Sequence, residues 1–230
     1  MVRKATKRAL PEGGLDAYHR LREGITAGQF QPNERLVEAN LTRLLGTGRT
    51  AVRAALVRLD QEGLVTREHN RGARVRLVTD GEALEIEEVR AALEGLLAHE
   101  AAEKATPTHL RELQALLAEM RDRLARDDSV GYSELNPRFH QVIWMAAGNR
   151  TAGRLVAALK SQGLRYQYQT MLRPGRAGRS MHEHEMIYKA ITAHDADTAE
   201  AAMRTHLAEV LETLRWAMAH QDHGPRWLPD

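Results

Sequence analysis

Apolar positions recur along this chain with two different periods, and the change from one to the other gives its organisation. Leu15, Tyr18, Leu21 and Ile25 stand three or four residues apart, the spacing of one helix face, and Gly28 ends that helix ahead of a turn around Pro32 and Asn33. A short second helix is expected from Val37 to Leu45, followed by a tight turn through Gly46-Thr47-Gly48. A third runs from Thr50 to Glu62, with Val52, Leu56 and Leu59 facing inward and Gly63 closing it. The period then drops to two. Leu64-Val65-Thr66-Arg67 and the run Ala73 to Val78 alternate as strands around His69-Asn70-Arg71-Gly72, a hairpin with a basic tip. Helix, helix, turn, helix and hairpin is the order of a winged helix-turn-helix.

From Asp80 onward only helical spacing remains, so the fold class is mainly α, with a winged helix-turn-helix followed by an all-α bundle. Thr106-Pro107 opens one helix, with Leu110, Leu113, Leu117, Met120 and Leu124 on a single face, and Asp127-Asp128-Ser129 closes it. The next carries Leu135, Phe139 and Ile143 and stops near Gly148-Asn149. Another is expected from about Thr151 towards Met171, before Pro174-Gly175 and a polar Arg/Gly-rich loop. Two last helices are expected over about Ser180 to Ala193 and Thr198 to His220, with Asp197 and Glu200 at capping-box spacing.

Composition narrows the chemistry. With 230 residues, 43% of them hydrophobic, the chain can bury the cores of two domains. The expected boundaries are a basic arm at 1–12, the winged domain at 13–78, the helical domain at 79–222 and a tail at 223–230. No cysteine is present, which excludes disulfides, thiolate metal sites and a cysteine nucleophile. The basic start lacks the apolar core of a secretory signal, and no stretch is long and apolar enough to span a bilayer, so a cytoplasmic protein with no membrane partner is expected. The net charge of +2 hides a segregation: residues 1–78 hold 15 Lys and Arg against 8 Asp and Glu, the remainder 18 against 23. A basic front half attracts a polyanion such as DNA, which the acidic back half repels.

A helix that reads DNA offers cationic donors in its first turns and keeps its inner face apolar. Arg49 and Arg53 stand four apart, Thr50 can donate to phosphate, and Arg suits guanine because its planar fork reaches O6 and N7 together. Gly48 occupies the N-cap position, Arg35 stands at the entrance to the second helix, and Arg71 beside Gly72 can enter a minor groove. Taken singly, each of these arginines reads equally well as a solvated surface group.

The run from Ile25 to Val75 resembles the DNA-binding domain of the GntR family of bacterial regulators. The resemblance is carried by Gly28, Pro32, Glu34-Arg35-Leu36, Glu38, Leu45-Gly46, Arg49-Thr50, Val52-Arg53, Ala55-Leu56, Leu59, Glu62-Gly63-Leu64-Val65 and Asn70-Arg71-Gly72. It implies that Arg35, Arg49, Arg53 and the wing tip Arg71-Gly72 approach double-stranded DNA. Gly48 stands where Ser or Thr is usual and Ala51 where Pro is common, departures that bear on operator preference.

Nine of the eleven histidines lie from His99 onward. Asn136 and His140 share a helix face, and His184 and His206 sit on the last two helices; three imidazoles with one oxygen donor suit Zn²⁺ or Ni²⁺. Spacing alone leaves them equally readable as separate surface groups. The stretches Asn136-Pro137-Arg138-Phe139-His140, Ala147-Gly148-Asn149, Ser180 to His184 and Ala202 to His206 resemble the FCD ligand-binding domain of the FadR subfamily within GntR. That resemblance implies a divalent metal held by Asn136, His140, His184 and His206. It also implies a small carboxylate effector held by Arg90, with Arg165 as a further candidate, and a homodimer on a palindromic operator, by default as a repressor. Arg90 reads equally as a helix-surface partner of Glu87 or Glu94. An enzyme activating water on the metal is the alternative; no HExxH motif supports it, and only Glu183 or Glu185 offers itself as a base.

Overall fold

The computed structural model describes residues 17–68, 72–163 and 173–220. They fall into two compact units that meet in sequence between Val78 and Thr79. The arm at 1–12, the wing tip at 69–71 with Arg71, the stretch 164–172 with Arg165, and the tail at 223–230 lie outside the described residues. Among the described residues no helix is long and apolar enough to cross a membrane.

The first unit contains α1 (Ala17–Thr26), β1 (Arg35–Leu36), α2 (Glu38–Leu45), α3 (Arg49–Gln61), β2 (Val65–Glu68) and β3 (Gly72–Val75). The apolar stripes read from the sequence meet in one core, in which Leu21, Leu36, Val52, Leu56 and Leu59 are fully buried. Each such side chain contributes about 1.5–3 kcal/mol by leaving water. Gly46, in the left-handed region at φ 64, turns the chain out of α2 while its N–H donates to the Thr42 carbonyl.

The sheet holds one strand more than periodicity indicated. Its order is β1-β3-β2, all antiparallel, with Arg35 opposite Arg74 and Leu36 opposite Ala73. Two residues are too short to display a period, so β1 becomes visible only once Leu36 is buried against the hairpin. Gly72 is the point of closest approach: its φ is 91, and a Cβ there would collide with the Leu36 carbonyl oxygen.

Among its described residues the second unit is all helical: α4 (Asp80–Lys104), α5 (Pro107–Ala125), α6 (Ser129–Ala147), α7 (Arg150–Gln162), α8 (Arg176–Thr192) and α9 (Ala196–Ala219). The Thr79 side chain caps α4 by accepting from Glu82 N–H. This helix packs along α9 and also against α6, α7 and α8, so buried residues such as Ala83, Ile86, Leu97 and Ala101 run round it and no single stripe stands out. Phe139, Leu113, Met120, Ile143, Ile187, Ile191 and Met203 fill the core.

Several helix ends differ from expectation. Asp128 opens α6, accepting from Gly131 N–H at 2.9 Å, rather than closing α5. Helix α7 ends at Gln162 with Gly163 as its cap, and the rest of the stretch expected to run towards Met171 lies outside the described residues. Helix α8 starts at Arg176 instead of Ser180, because Gly175 at φ 72 makes the turn and Arg176 is buried against Glu183 two turns on. The N-cap of α9 is Asp195, accepting from Thr198 N–H at 3.1 Å, which displaces the expected Asp197/Glu200 box by two residues.

Candidate functional site

The leading end of α3 is exposed and cationic. Arg49, Thr50 and Arg53 all face solvent, while Val52, Ala55, Leu56 and Leu59 are buried behind them. Gly48 is the N-cap and offers no side-chain acceptor, so the first-turn N–H groups meet no capping side chain, an arrangement that suits an anion. Arg35 is exposed on β1. The Arg53 Nε donates to Glu38 Oε2 of α2 at 2.8 Å, with the two side chains 65% and 27% exposed. A pair this exposed is held by at most about 1 kcal/mol, so it orients the guanidinium without locking it away from another acceptor.

In the second unit the fold brings three distant histidines together. His140 on α6, His184 on α8 and His206 on α9 are all buried, and a ligand nitrogen from each lies within 4.8 Å of the other two. Asn136, one turn before His140 on α6, lines the same cavity as His140 and His206. Pro137 beside it has no N–H to give the Ser133 carbonyl, and both residues line that cavity too.

The imidazoles are oriented from behind. His140 Nδ1 lies 2.8 Å from Glu94 Oε2, and His206 Nδ1 lies 2.7 Å from Glu183 Oε2. His184 Nδ1 is 3.3 Å from the Tyr132 hydroxyl, whose oxygen can accept its proton. With each Nδ1 donating outward, each Nε2 keeps a lone pair directed away from its support, the arrangement found behind metal-bound histidines. Burial lowers the pKa of all three, well below the ordinary value for His184 and His206. At His140 desolvation outweighs the opposing pull of the Glu94 carboxylate. Neutral imidazole is the form a metal requires.

Two buried polar atoms in this group have no hydrogen-bond partner among the described residues: Asn136 Oδ1 and His184 Nε2. An orphaned buried group of this kind costs roughly 1–3 kcal/mol. A divalent ion at the centre would satisfy both, so the donor set of three neutral imidazoles and one amide oxygen fits Zn²⁺ or Ni²⁺.

A cavity of about 90 Å³ opens beside this cluster, walled by Glu87, Arg90, Lys160, Arg176, Leu207 and Leu214 among others. Arg90 is there, but not as the exposed helix-surface group its spacing allowed. It is buried and spoken for: Nη1 donates to both Glu87 oxygens at 2.7 and 2.8 Å, and Nε and Nη2 donate to Glu94 Oε1 at 3.0 and 2.7 Å. Burial works against the Glu94 charge, yet Arg90 and His140 more than offset it and hold the carboxyl well below the usual range.

Sequence reasoning missed five participants. Glu94, Glu183 and Tyr132 support the histidines. Glu183, considered as a catalytic base, instead accepts from both terminal nitrogens of Arg176 at 3.0 and 2.8 Å and stands against His206. Lys160 and Arg176 join the cavity wall. The seven-residue spacing of Arg176 and Glu183 was a readable signal, masked by reading 176–179 as loop; Lys160 gave none.

Residues 14–75 match the family model for bacterial regulatory proteins of the gntR family, and residues 85–209 match that for the FCD domain. The transcriptional repressor RspR of Escherichia coli is 26% identical over 198 residues, covering 86% of this chain and 87% of its own. A regulator encoded in an unstable DNA locus of Streptomyces ambofaciens is 30% identical over 211 residues, covering 89% and 86%. Among solved structures, Escherichia coli McbR/YncC superposes with a TM-score of 0.69 at 25% identity, covering 90% of this chain and 97% of its own. Matched domains and relatives alike are those of transcriptional regulators, not enzymes, which counts against the alternative of an enzyme activating water on the metal. The chain therefore belongs to the GntR family of bacterial regulatory proteins, as a DNA-binding transcriptional regulator whose winged helix-turn-helix is followed by an FCD domain.

Proposed function

We propose that this regulator is a homodimeric repressor whose grip on a palindromic operator is set by a small carboxylate bound beside a divalent metal in the helical unit. The observation that carries the metal is the pair of unpartnered buried atoms, Asn136 Oδ1 and His184 Nε2, among three histidines whose Nδ1 atoms are already engaged. Asn136, His140, His184 and His206 hold the ion. Bound there, it supplies a Lewis-acidic position for a carboxylate oxygen.

Arg90 forms part of the effector wall, through the donor capacity its carboxylate partners leave; Arg165 is a further effector candidate. On the DNA side, Arg49, Thr50 and Arg53 address the major groove from α3, Arg35 reaches the flanking backbone, and the wing tip at Arg71-Gly72 follows the minor groove. Two copies related by a two-fold axis present two such surfaces, the symmetry that a palindromic operator matches. The repressor RspR is similar over 86% of this chain, which favours repression over activation.

Operator and effector are coupled by linkage: if the effector weakens operator binding, the operator weakens effector binding by the same factor. The test selects bound fragments from the source genome. It then measures operator affinity by fluorescence anisotropy with zinc-loaded, nickel-loaded and metal-stripped protein, with and without a panel of carboxylates. A selective carboxylate response that disappears on metal removal is expected. An operator affinity indifferent to both would refute the reading.

A further inference from the structure

We propose that the cavity selects a compact dicarboxylate over a monocarboxylate of the same shape, with Lys160 as the contact for the carboxylate that is not at the metal. This rests on the reading of the site as a metal-dependent carboxylate sensor and adds the charge of the ligand and the residue that recognises it.

The argument is one of charge balance in a buried space. Arg90 lies between Glu87 and Glu94, so that triad carries one net negative charge. Arg176 and Glu183 cancel. Lys160 lines the same cavity and has no carboxylate at ion-pair distance among the described residues. An imidazole that ligates a metal through its lone pair is neutral, and position 136 is an amide rather than a carboxylate.

The described side chains around the cavity therefore sum to zero, and a divalent ion leaves two positive charges uncompensated beside Leu207, Val210 and Leu214. Uncompensated charge in such surroundings is strongly unfavourable. A dianion cancels it, whereas a monoanion leaves half. An Asp at position 136 would have supplied one of the two negative charges from the protein, so this chain's Asn moves that requirement onto the ligand.

Lys160 is the cation placed to receive the second carboxylate. Its ammonium stands 5.6 Å from the centre of the Trp144 ring. Burial, helped by repulsion from Arg90, pushes its pKa down to about 8, the behaviour of a cation whose partners do not balance its desolvation. An anionic group arriving beside it restores the charged form. The cavity volume of about 90 Å³ is far below the roughly 300–1,000 Å³ of sites for drug-sized molecules, so the ligand is short.

The test compares succinate with succinamate, its near-isosteric monoanion, by titration calorimetry on zinc-loaded full-length protein at neutral pH. Succinate is expected to bind roughly tenfold or more tightly, the scale of a hydrogen bond to a charged group. Lys160→Met, which removes one positive charge and the contact for the second carboxylate, should abolish that preference, with zinc stoichiometry retained because Lys160 is not among the metal donors. Asn136→Asp, which adds one negative charge without touching Lys160, should narrow it. Equal affinities in the parent protein, or a preference untouched by either substitution, would overturn the assignment of Lys160 and the dianion. Failure of both probes, and of other carboxylates, to bind the zinc-loaded protein would overturn the underlying carboxylate reading as well.

Discussion

Replacing Glu94 by glutamine exchanges one carboxylate oxygen for an amino group at a position surrounded only by donors. Glu94 Oε1 accepts from Arg90 Nε and Nη2, and Oε2 faces His140 Nδ1 at 2.8 Å and accepts from Trp144 Nε1 at 3.4 Å. The amide can satisfy one side only. If its carbonyl keeps Arg90, its NH₂ faces His140, which must then turn Nδ1 into an acceptor and place its proton on Nε2, the atom the metal needs. If its carbonyl keeps His140, the NH₂ opposes a buried guanidinium. Loss of a supporting carboxylate behind a metal-bound histidine costs about 10- to 100-fold in metal affinity. Breaking a buried ion pair costs about 3–5 kcal/mol. Glu87 remains on Arg90, which places the stability loss near the lower end, roughly 6–12 °C in Tm at about 2–4 °C per kcal/mol. Zinc affinity by competition with a chromophoric chelator and the melting curve of stripped protein measure the two effects separately. A Glu94→Gln protein that binds zinc within twofold of the parent would refute the orienting role assigned to this carboxylate.

Three other perturbations separate the two units. Arg49→Ala and Arg53→Ala should each abolish specific operator binding with little change in Tm, since the Arg53–Glu38 pair is exposed and holds at most about 1 kcal/mol; loss of the fold would show their role to be structural. Gly72→Ala should destabilise the winged unit by roughly 1–3 kcal/mol through its left-handed backbone and the Leu36 carbonyl, read as an earlier melting transition; an unchanged transition would mean that β1 does not pair as described. The third is pH. His140, His184 and His206 are neutral in the folded, metal-stripped protein at pH values where the unfolded chain protonates them, so the unfolded state binds more protons below about pH 6.5. Stability of stripped protein should therefore fall as the pH drops below that value. Melting curves from pH 8 to pH 5 test it, and a flat profile would show that the histidines are not buried as a group.

What was legible in the sequence was whatever repeats over a short stretch of chain. The three helices of the winged unit and the hairpin declared themselves through periods of 3.6 and 2, and the core predicted from them, Leu21, Val52, Leu56 and Leu59, is buried. Asn136 and His140 could be set on one face because four residues make about one turn. Helix ends were less legible, because a cap is a single local bond. Asp195 and Asp197 are both suitable residues, and only the chain's turn at His194 (φ 55) selects the first.

The sequence by itself thus determined the secondary-structure plan, the separation of charge between front and back, and the chemical types available for a metal. Tertiary structure alone decided that His140, His184 and His206 meet, that Glu94 and Glu183 stand behind two of them, and that Arg90 is enclosed by acids while Lys160 is not. The reason is range. Periodicity and capping act over a few residues along the chain, whereas the protonation state of a buried imidazole and the net charge of a cavity are fixed by groups dozens of positions apart that only packing brings into contact.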